Sequence, residues 1–534
     1  MAKPPKHQPT SPSKPLAGQQ PTNRKRRLPL LSPYLLLFAL VWAWAALWYG
    51  DVFRIAREYS FWAPDETLMH YQQGRPWGML WQAGLALLQL YRWPLLGALL
   101  TATLVTKPTY LLAYCLRLRG WWRLIAFLPA LGYTGRIAYV GLDLFFETET
   151  GMILGIPLLY TLVLAVLAGI IRSFSRKPMP SWVRVDAAEP PRQSLALTGM
   201  ALVVVALPMS ITHWTRPYVR VVTTMQRQQM EQDWKGMAET ARSRAELSYR
   251  PIAAFYAIAL VQRGEQGSRL FDIRMDYDQP HLHGFDGKTG NAANYYLMDC
   301  DFYAGLVQTS IHHAMEQMTM NGPNLRALKL LTKGALMRGE WAVAEKYLTI
   351  LSRVPFEGKW VAKYKAMVGD MERVNNDPEF RMVRLTEPIS DTFENYYIQP
   401  VFLGYNAALT EGRSINALWN SLAVQLYTKT MPQFLFRSQP LQGSTPPQSF
   451  AEALTLLSGK NPDILQQYTG LEYQRERMGR FLTEVQPLMK ERPQHALRLF
   501  PKYKGYYPYY YFFGNLKATK KTKENEGTSN SGVN

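Results

Sequence analysis

The stretch of this sequence with the most chemical potential is 272–294, where Asp276, Asp278, His281, His283 and Asp286 fall among Gly284, Gly287 and Gly290. A His-x-His pair flanked by carboxylates offers nitrogen and oxygen ligands suited to zinc or a similar divalent ion. The same composition suits a polar loop between helices, in which Asp, Asn and Gly satisfy the backbone locally. No Cys pair, His-Glu-x-x-His or calcium-loop spacing accompanies it. No metal or cofactor is therefore expected, and His281, His283, Asp276 and Asp286 are the residues that would ligate one. His312 and His313 are adjacent on a helical stretch and so face different ways, one toward packing and one toward solvent.

Two other places carry charge where charge could act. Asp65-Glu66 follows Trp62-Ala63-Pro64. A carboxylate there could serve as a base or hold a metal, as in the first external loop of polytopic lipid-linked glycosyltransferases. It is equally a helix start, where acids are favoured. Arg136 lies inside an apolar run, and intramembrane charge is costly and often marks a path or a site. Asp143, two helical turns on, could share its face. Arg92 sits at the edge of an apolar run, where a long cationic side chain can snorkel to the interface. No phosphate-binding Gly-rich loop, Gly-x-Ser-x-Gly elbow or dinucleotide fingerprint appears, so no reaction is assigned.

The elements that would position these residues divide the chain in two. It has 534 residues with 60 Lys+Arg against 40 Asp+Glu, 15 Trp and 31 Tyr. Its apolar material is concentrated between Leu30 and Ile211. Much of the positive excess sits in tails and short loops, so topology accounts for it and no nucleic-acid partner is expected. The two cysteines, Cys115 and Cys300, lie in different halves and are not expected to pair.

Five apolar runs of about spanning length are expected to cross a bilayer: 30–49, 93–116 (interrupted at Lys107-Pro108), 121–142, 152–171 and 195–211. The stretch 77–91 is short and is expected to be interfacial or re-entrant. Residues 1–29 are basic and without acid, and are expected to be disordered. The 117–123 and 172–193 segments are also basic, whereas 51–76 is slightly acidic and 143–150 carries Asp143, Glu147 and Glu149 with no base. Positive charge stays on the cytoplasmic side. The alternation therefore places the N-terminus inside and everything after 213 outside.

From 214 to 514 the periodicity is helical throughout, with helices expected over Asp301–Met318, Leu325–Arg338, Trp341–Arg353, Gly358–Arg373, Tyr396–Leu409, Ile415–Thr428 and Gly470–Glu491, among others. The fold class is all-α: polytopic transmembrane helices followed by a soluble helical domain. Gly339-Glu340-Trp341, followed by Ala344, Leu348, Leu351 and Pro355, resembles a tetratricopeptide repeat. Gly305 lies 34 residues before Gly339, one period of that repeat. The aromatic stretch Tyr503–Phe513 is expected to cap the last helices, and 515–534 to be a disordered tail.

Taken whole, the chain resembles an uncharacterised bacterial family of multi-pass inner-membrane proteins with a repeat-like helical tail. The residues behind this are Tyr91-Arg92-Trp93-Pro94-Leu95-Leu96-Gly97-Ala98-Leu99, Arg326-Ala327-Leu328-Lys329 through Glu340-Trp341, Lys359-Trp360 and the aromatic C-terminal stretch. The resemblance implies architecture and no reaction. The expected function is a membrane-anchored scaffold in the cell envelope, with the bilayer and a protein or peptide as partners. The rival is a membrane enzyme or transporter using Asp65, Glu66 or Arg136.

Overall fold

The computed structural model describes residues 32–66, 69–70, 74, 76–141, 150–174, 191–247, 249–275, 296–387 and 414–514. The segments 1–29 and 515–534, the loop bearing Asp276, Asp278, His281, His283 and Asp286, the stretch 396–409 and Asp143 lie outside the described residues. The described residues are helical with turns and no strand.

The first half begins with α1 (Pro33–Ala43), which continues through a π turn (Trp44–Trp48) and bends by 63° into α2 (Gly50–Glu58). Next come α3 (Gly78–Leu88), α4 (Pro94–Cys115), α5 (Leu128–Val140), α6 (Met152–Phe174) and α7 (Pro191–Thr215). Three helices, α4, α6 and α7, are long and apolar enough to cross a membrane, and a fourth is added if the bent α1–α2 pair is one span. The stretch 121–142 is divided instead between a 3-10 segment (Gly120–Phe127) and the short α5. Pro129 explains the restart. It has no N–H to give to a preceding turn, but it fits the first turn of a new helix.

Lys107-Pro108 does not interrupt α4, contrary to expectation; the helix runs through Pro108. Pro removes one backbone donor, and inside a bundle nearby hydroxyls and neighbouring helices absorb that loss. Thr109 Oγ1 donates to the Val105 carbonyl at 2.7 Å within this turn.

The contacts fix the direction in which these helices run. The N-terminal turn of α1 meets the far half of α4 and the 3-10 segment, with the Tyr34 ring 5.5 Å from Tyr110 and 5.7 Å from Phe127. At the other end Tyr49 donates to the Ile137 carbonyl, Arg216 to Val140 and Arg220 to Trp48. So α1, the 3-10/α5 pair and α7 run one way, and α4 and α6 the other. The start of α1 and the start of the helical domain lie at opposite ends of the bundle. Helix α3 packs against α6. It lies along the first turns of α6 with glycines at the contact, where a Cβ on Gly84 would sit 1.7 Å from the Gly151 carbonyl oxygen.

The helical half contains α8 (Tyr218–Met230), α9 (Trp234–Arg242), α10 (Arg250–Arg263), α11 (Gln266–Arg269), α12 (Leu297–Tyr303), α13 (Val307–Asn321), α14 (Leu325–Arg338), α15 (Trp341–Ser352), α16 (Gly358–Lys365), α17 (Met371–Asn376) and α18 (Pro378–Thr386). After the next described residue, Ser414, come α19 (Ile415–Thr428), α20 (Met431–Arg437), α21 (Gln448–Ser458), α22 (Ile464–Gln467), α23 (Glu472–Val485), α24 (Arg492–Tyr503) and α25 (Tyr507–Phe513).

One joint recurs between these helices. Gln232, Gly264, Gly305, Gly339 and Lys429 all have positive φ. In each case the next N–H bonds back five residues, as in Asp233 to Gln228, Leu306 to Asp301 and Glu340 to Ala335. This is the Schellman termination: a left-handed residue ends one helix and the next begins almost at once. It also explains two departures from expectation. Asp301–Met318 is split at Gly305 into α12 and α13, and Gly358–Arg373 is split at Gly369 into α16 and α17.

Candidate functional site

Helix α14 is one of the most enclosed elements of the helical half, with every residue from Leu325 to Met337 buried. A helix that is apolar all round would explain such burial simply. This one instead carries Arg326, Lys329 and Lys333, whose i, i+3, i+7 spacing puts them on one face. Asn324 caps its start by accepting from the Ala327 N–H at 2.7 Å, and Leu325 N–H donates to the Ser60 carbonyl at 3.0 Å, which ties that cap to the loop after α2.

Each cation meets a carboxylate brought by a different element. Arg326 grips Asp299 of α12 with two nitrogens, Nη2 to Oδ1 at 2.5 Å and Nε to Oδ2 at 3.1 Å. Lys329 Nζ lies 2.9 Å from Glu58 Oε2 at the end of α2 and 3.0 Å from Glu357 Oε2. Arg57 completes that square, with Nη1 on Glu58 at 2.7 Å, Nη2 on Glu357 at 2.6 Å and Nε on Gln89 at 3.2 Å. Lys333 Nζ donates to Glu379 Oε1 at 2.6 Å, while the hydroxyls of Tyr303 and Tyr364 donate to the same carboxylate at 2.6 and 2.7 Å. The side chains of all eight charged residues are between 0 and 8% exposed.

Removing ions from water costs several kcal/mol each unless good geometry and further hydrogen bonds offset it. Four cations and four carboxylates neutralise one another here, and two tyrosine hydroxyls fill remaining acceptor positions. Burial would raise the Glu379 pKa, but the Lys333 charge and the hydrogen bonds from Lys333, Tyr303 and Tyr364 outweigh it and hold the carboxyl at about 2. Beside this cluster His313 Nδ1 lies 2.8 Å from Asp301. Burial disfavours its charge, but the Asp301 hydrogen bond and charge lift its pKa above the ordinary value. The cluster is closed to solvent and internally neutral, so it leaves no spare charge for a substrate. Chemically it fixes positions: Arg57, Glu58 and Gln89 belong to the first half of the chain, and Lys329 and Glu357 to the helical half.

A second buried carboxylate organises the C-terminus. Glu452 on α21 accepts from Gln448 at 3.0 Å, from Arg477 at 2.9 Å and from the Tyr507 backbone N–H at 2.8 Å. Burial pushes its pKa up to about 7, although those three partners favour the anion. Through Tyr507 it holds α25, whose rings fold back onto earlier helices. The Phe271 ring lies 5.1 Å from Tyr507 and 4.6 Å from Tyr510, and Tyr510 donates to the Tyr427 carbonyl at 2.8 Å.

The residues singled out from sequence fall elsewhere. Asp65 is ion-paired with Arg353 of the helical half. Glu66 is exposed, 3.9 Å from His70 one turn on. Arg136 lies on the exposed outer face of α5. The structure does not bring these three together. The metal candidates His281, His283, Asp276 and Asp286 lie outside the described residues, and among those described no group of three or more His, Cys, Asp or Glu is arranged to hold an ion. The ionic cluster was missed. In sequence Arg57 and Glu58 are two charges in the slightly acidic 51–76 segment, and nothing local marks Asp299, Lys333, Glu357 or Glu379. The available signal was three cations at helical spacing inside the otherwise apolar Leu325–Met337 run.

No curated protein and no solved structure matches this chain. A family of unknown function (DUF6057) matches over residues 138–514. The match takes in α6, α7 and the described helical half with Asp299, Arg326, Lys329, Lys333, Glu357, Glu379 and Glu452, while Arg57 and Glu58 precede it. Covering most of the chain, from the end of α5 to the final aromatic turn, it places the protein in that family, and the chain belongs to DUF6057.

Proposed function

We propose that this protein is a membrane-anchored scaffold of tetratricopeptide-like helical pairs, held in the inner membrane of a bacterium with its N-terminus cytoplasmic and its helical half in the periplasm. The observation that carries the reading is the docking of the two halves through Arg57, Glu58, Lys329 and Glu357. A buried, neutral and sealed set of ion pairs suits holding a surface in a fixed pose better than turning over a substrate. The 34-residue step from Gly305 to Gly339 and the shared Schellman joint support stacked repeats, whose concave face suits a peptide or protein. The direction of the traverses supports the orientation. It puts the basic 117–123 segment, with Arg172 at the end of α6 and Arg192 at the start of α7, at the end of the bundle opposite the helical half, as positive charge on the cytoplasmic side requires. Asp65 is taken up by Arg353 and Arg136 faces outward, so the enzyme or transporter reading gains no support from them.

Two measurements test this. Paired reporters fused after Asn534, one active only outside the cytoplasm and one only inside, are expected to light the external one. The internal signal would overturn the periplasmic placement. A photo-crosslinking residue at Val343 or Leu385, both exposed on helical pairs, is expected to give one discrete protein adduct in intact cells. Absence of any adduct at both positions, with the protein folded and inserted, counts against a scaffold.

A further inference from the structure

The turn joining α15 to α16 has an unusual residue at its tip. Phe356 adopts φ +69°, a left-handed conformation that bulky side chains rarely take. Its ring is not tucked away in exchange, since Phe356 is 45% exposed. The turn is nonetheless held firmly from behind. Arg57 Nη2 donates to the Pro355 carbonyl at 3.3 Å, and Glu357 is locked in the ionic cluster. The fold therefore holds an aromatic ring outward in a strained backbone.

What that ring touches indicates where it sits. It meets Trp93 edge-on at 4.7 Å between centroids. Trp93 is the residue before Pro94, at the start of the 22-residue α4. Below it Leu95, Leu96 and Leu99 are exposed on the outside of the bundle. Trp at the end of such a helix marks the membrane–water interface, where amphipathic rings settle at headgroup level. Phe356 thus extends the lipid-facing side of α4 at that level. Cations stand three residues to either side of it in sequence: Arg353, paired with Asp65, and the exposed Lys359. Basic side chains beside an inserted apolar residue are the complement of an anionic lipid surface.

We propose that the turn 353–359 of the helical half is itself a lipid-binding surface, with Phe356 seated beside Trp93 at the boundary of headgroups and acyl chains and with Lys359 facing anionic phospholipid headgroups. This rests on the reading of α4 as a membrane span. The helical half then touches the bilayer as well as being tethered to it, which fixes its tilt over the membrane independently of the ionic cluster.

The test places a nitroxide on Phe356→Cys in the full chain, in a Cys115→Ala background with Cys300 left in place because it is buried. The protein is reconstituted in nanodiscs of zwitterionic lipid with and without phosphatidylglycerol. Collision rates with oxygen and with an aqueous nickel chelate report depth. Leu162→Cys on α6 and Leu497→Cys on α24, both exposed positions, serve as membrane and aqueous references. Position 356 is expected to fall between the two and to move deeper with phosphatidylglycerol, and the Lys359→Gln variant is expected to remove most of that lipid-dependent shift. If position 356 matches position 497 in both lipids, the proposal is overturned. Intermediate depth with no dependence on lipid charge overturns the anionic-headgroup part. If position 162 also matches position 497, the spanning reading fails and this proposal with it. Should Phe356→Cys not fold, Lys359→Cys reports the same surface by the same criteria.

Discussion

Replacing Lys329 with methionine is expected to destabilise the protein by about 3–5 kcal/mol, the usual cost of removing one partner from a buried ion pair. The change leaves Glu58 and Glu357, 3% and 1% exposed, sharing the single counter-charge of Arg57. The loss follows from stranded carboxylates more than from the lost attraction, so it has a diagnostic counterpart. Removing a whole pair in favour of apolar side chains is often close to neutral. Arg326→Met with Asp299→Leu is therefore expected to recover most of the loss caused by Arg326→Met alone. Denaturant unfolding in detergent, followed by intrinsic fluorescence, measures all of these. A second readout separates docking from global folding. With the Lys329 square broken, the helical half is expected to remain helical while trypsin gains access to the segment after α2. A Lys329→Met protein within about 1 kcal/mol of the parent would show that the cluster does not hold the halves together.

Local rules made the helical half legible, and tertiary ones hid the site. Gly305 and Gly339 are visible as helix punctuation, and the structure gives both the left-handed φ that favours glycine. The same termination at Gln232 and Lys429 uses residues that no composition rule would select, because the turn there is imposed by the packing of the helices on either side. In the first half a continuous apolar run looks like one helix by hydropathy. Pro129 restarts the helix in 121–142, whereas Pro108 sits inside an unbroken α4. The difference lies in surroundings and not in the residue, since α4 packs along α1 and α6 while the run before Pro129 is 3-10. The ionic cluster was hidden for a stronger reason. Lys329 reaches Glu58 across 271 positions and Arg57 reaches Glu357 across 300. No periodicity within one element announces a partner that far away, and an ionised side chain is ordinarily assigned to solvent.

The two buried glutamates predict opposite responses to pH, and Glu452 gives the larger effect near neutrality. Glu379 is held at about 2 against an ordinary 4.5. Its contribution is thus present above about pH 4.5 and is lost as pH falls toward 2, where the folded protein must take up a proton. For Glu452 the sign reverses, because its pKa rises from 4.5 to about 7 on folding. Between these values the folded protein keeps a proton that the unfolded chain has released, so stability falls as pH rises. The fall is about 3 kcal/mol at 1.36 kcal/mol per pKa unit, complete by about pH 7 and flat above it. Glu452→Gln cannot ionise, yet its amide oxygen can still accept the Tyr507 N–H. This variant is expected to abolish the decline and to be the more stable protein at pH 8, while differing little from the parent at pH 5. Because Glu452 anchors α25, the parent is also expected to expose Lys502 and Lys504 to trypsin more readily at pH 8 than at pH 5, a difference the variant should lack. Unfolding midpoints at the two pH values decide the matter. Equal pH slopes in parent and variant would mean that Glu452 is ionised in the folded protein throughout, with Arg477 and the Tyr507 amide outweighing its burial.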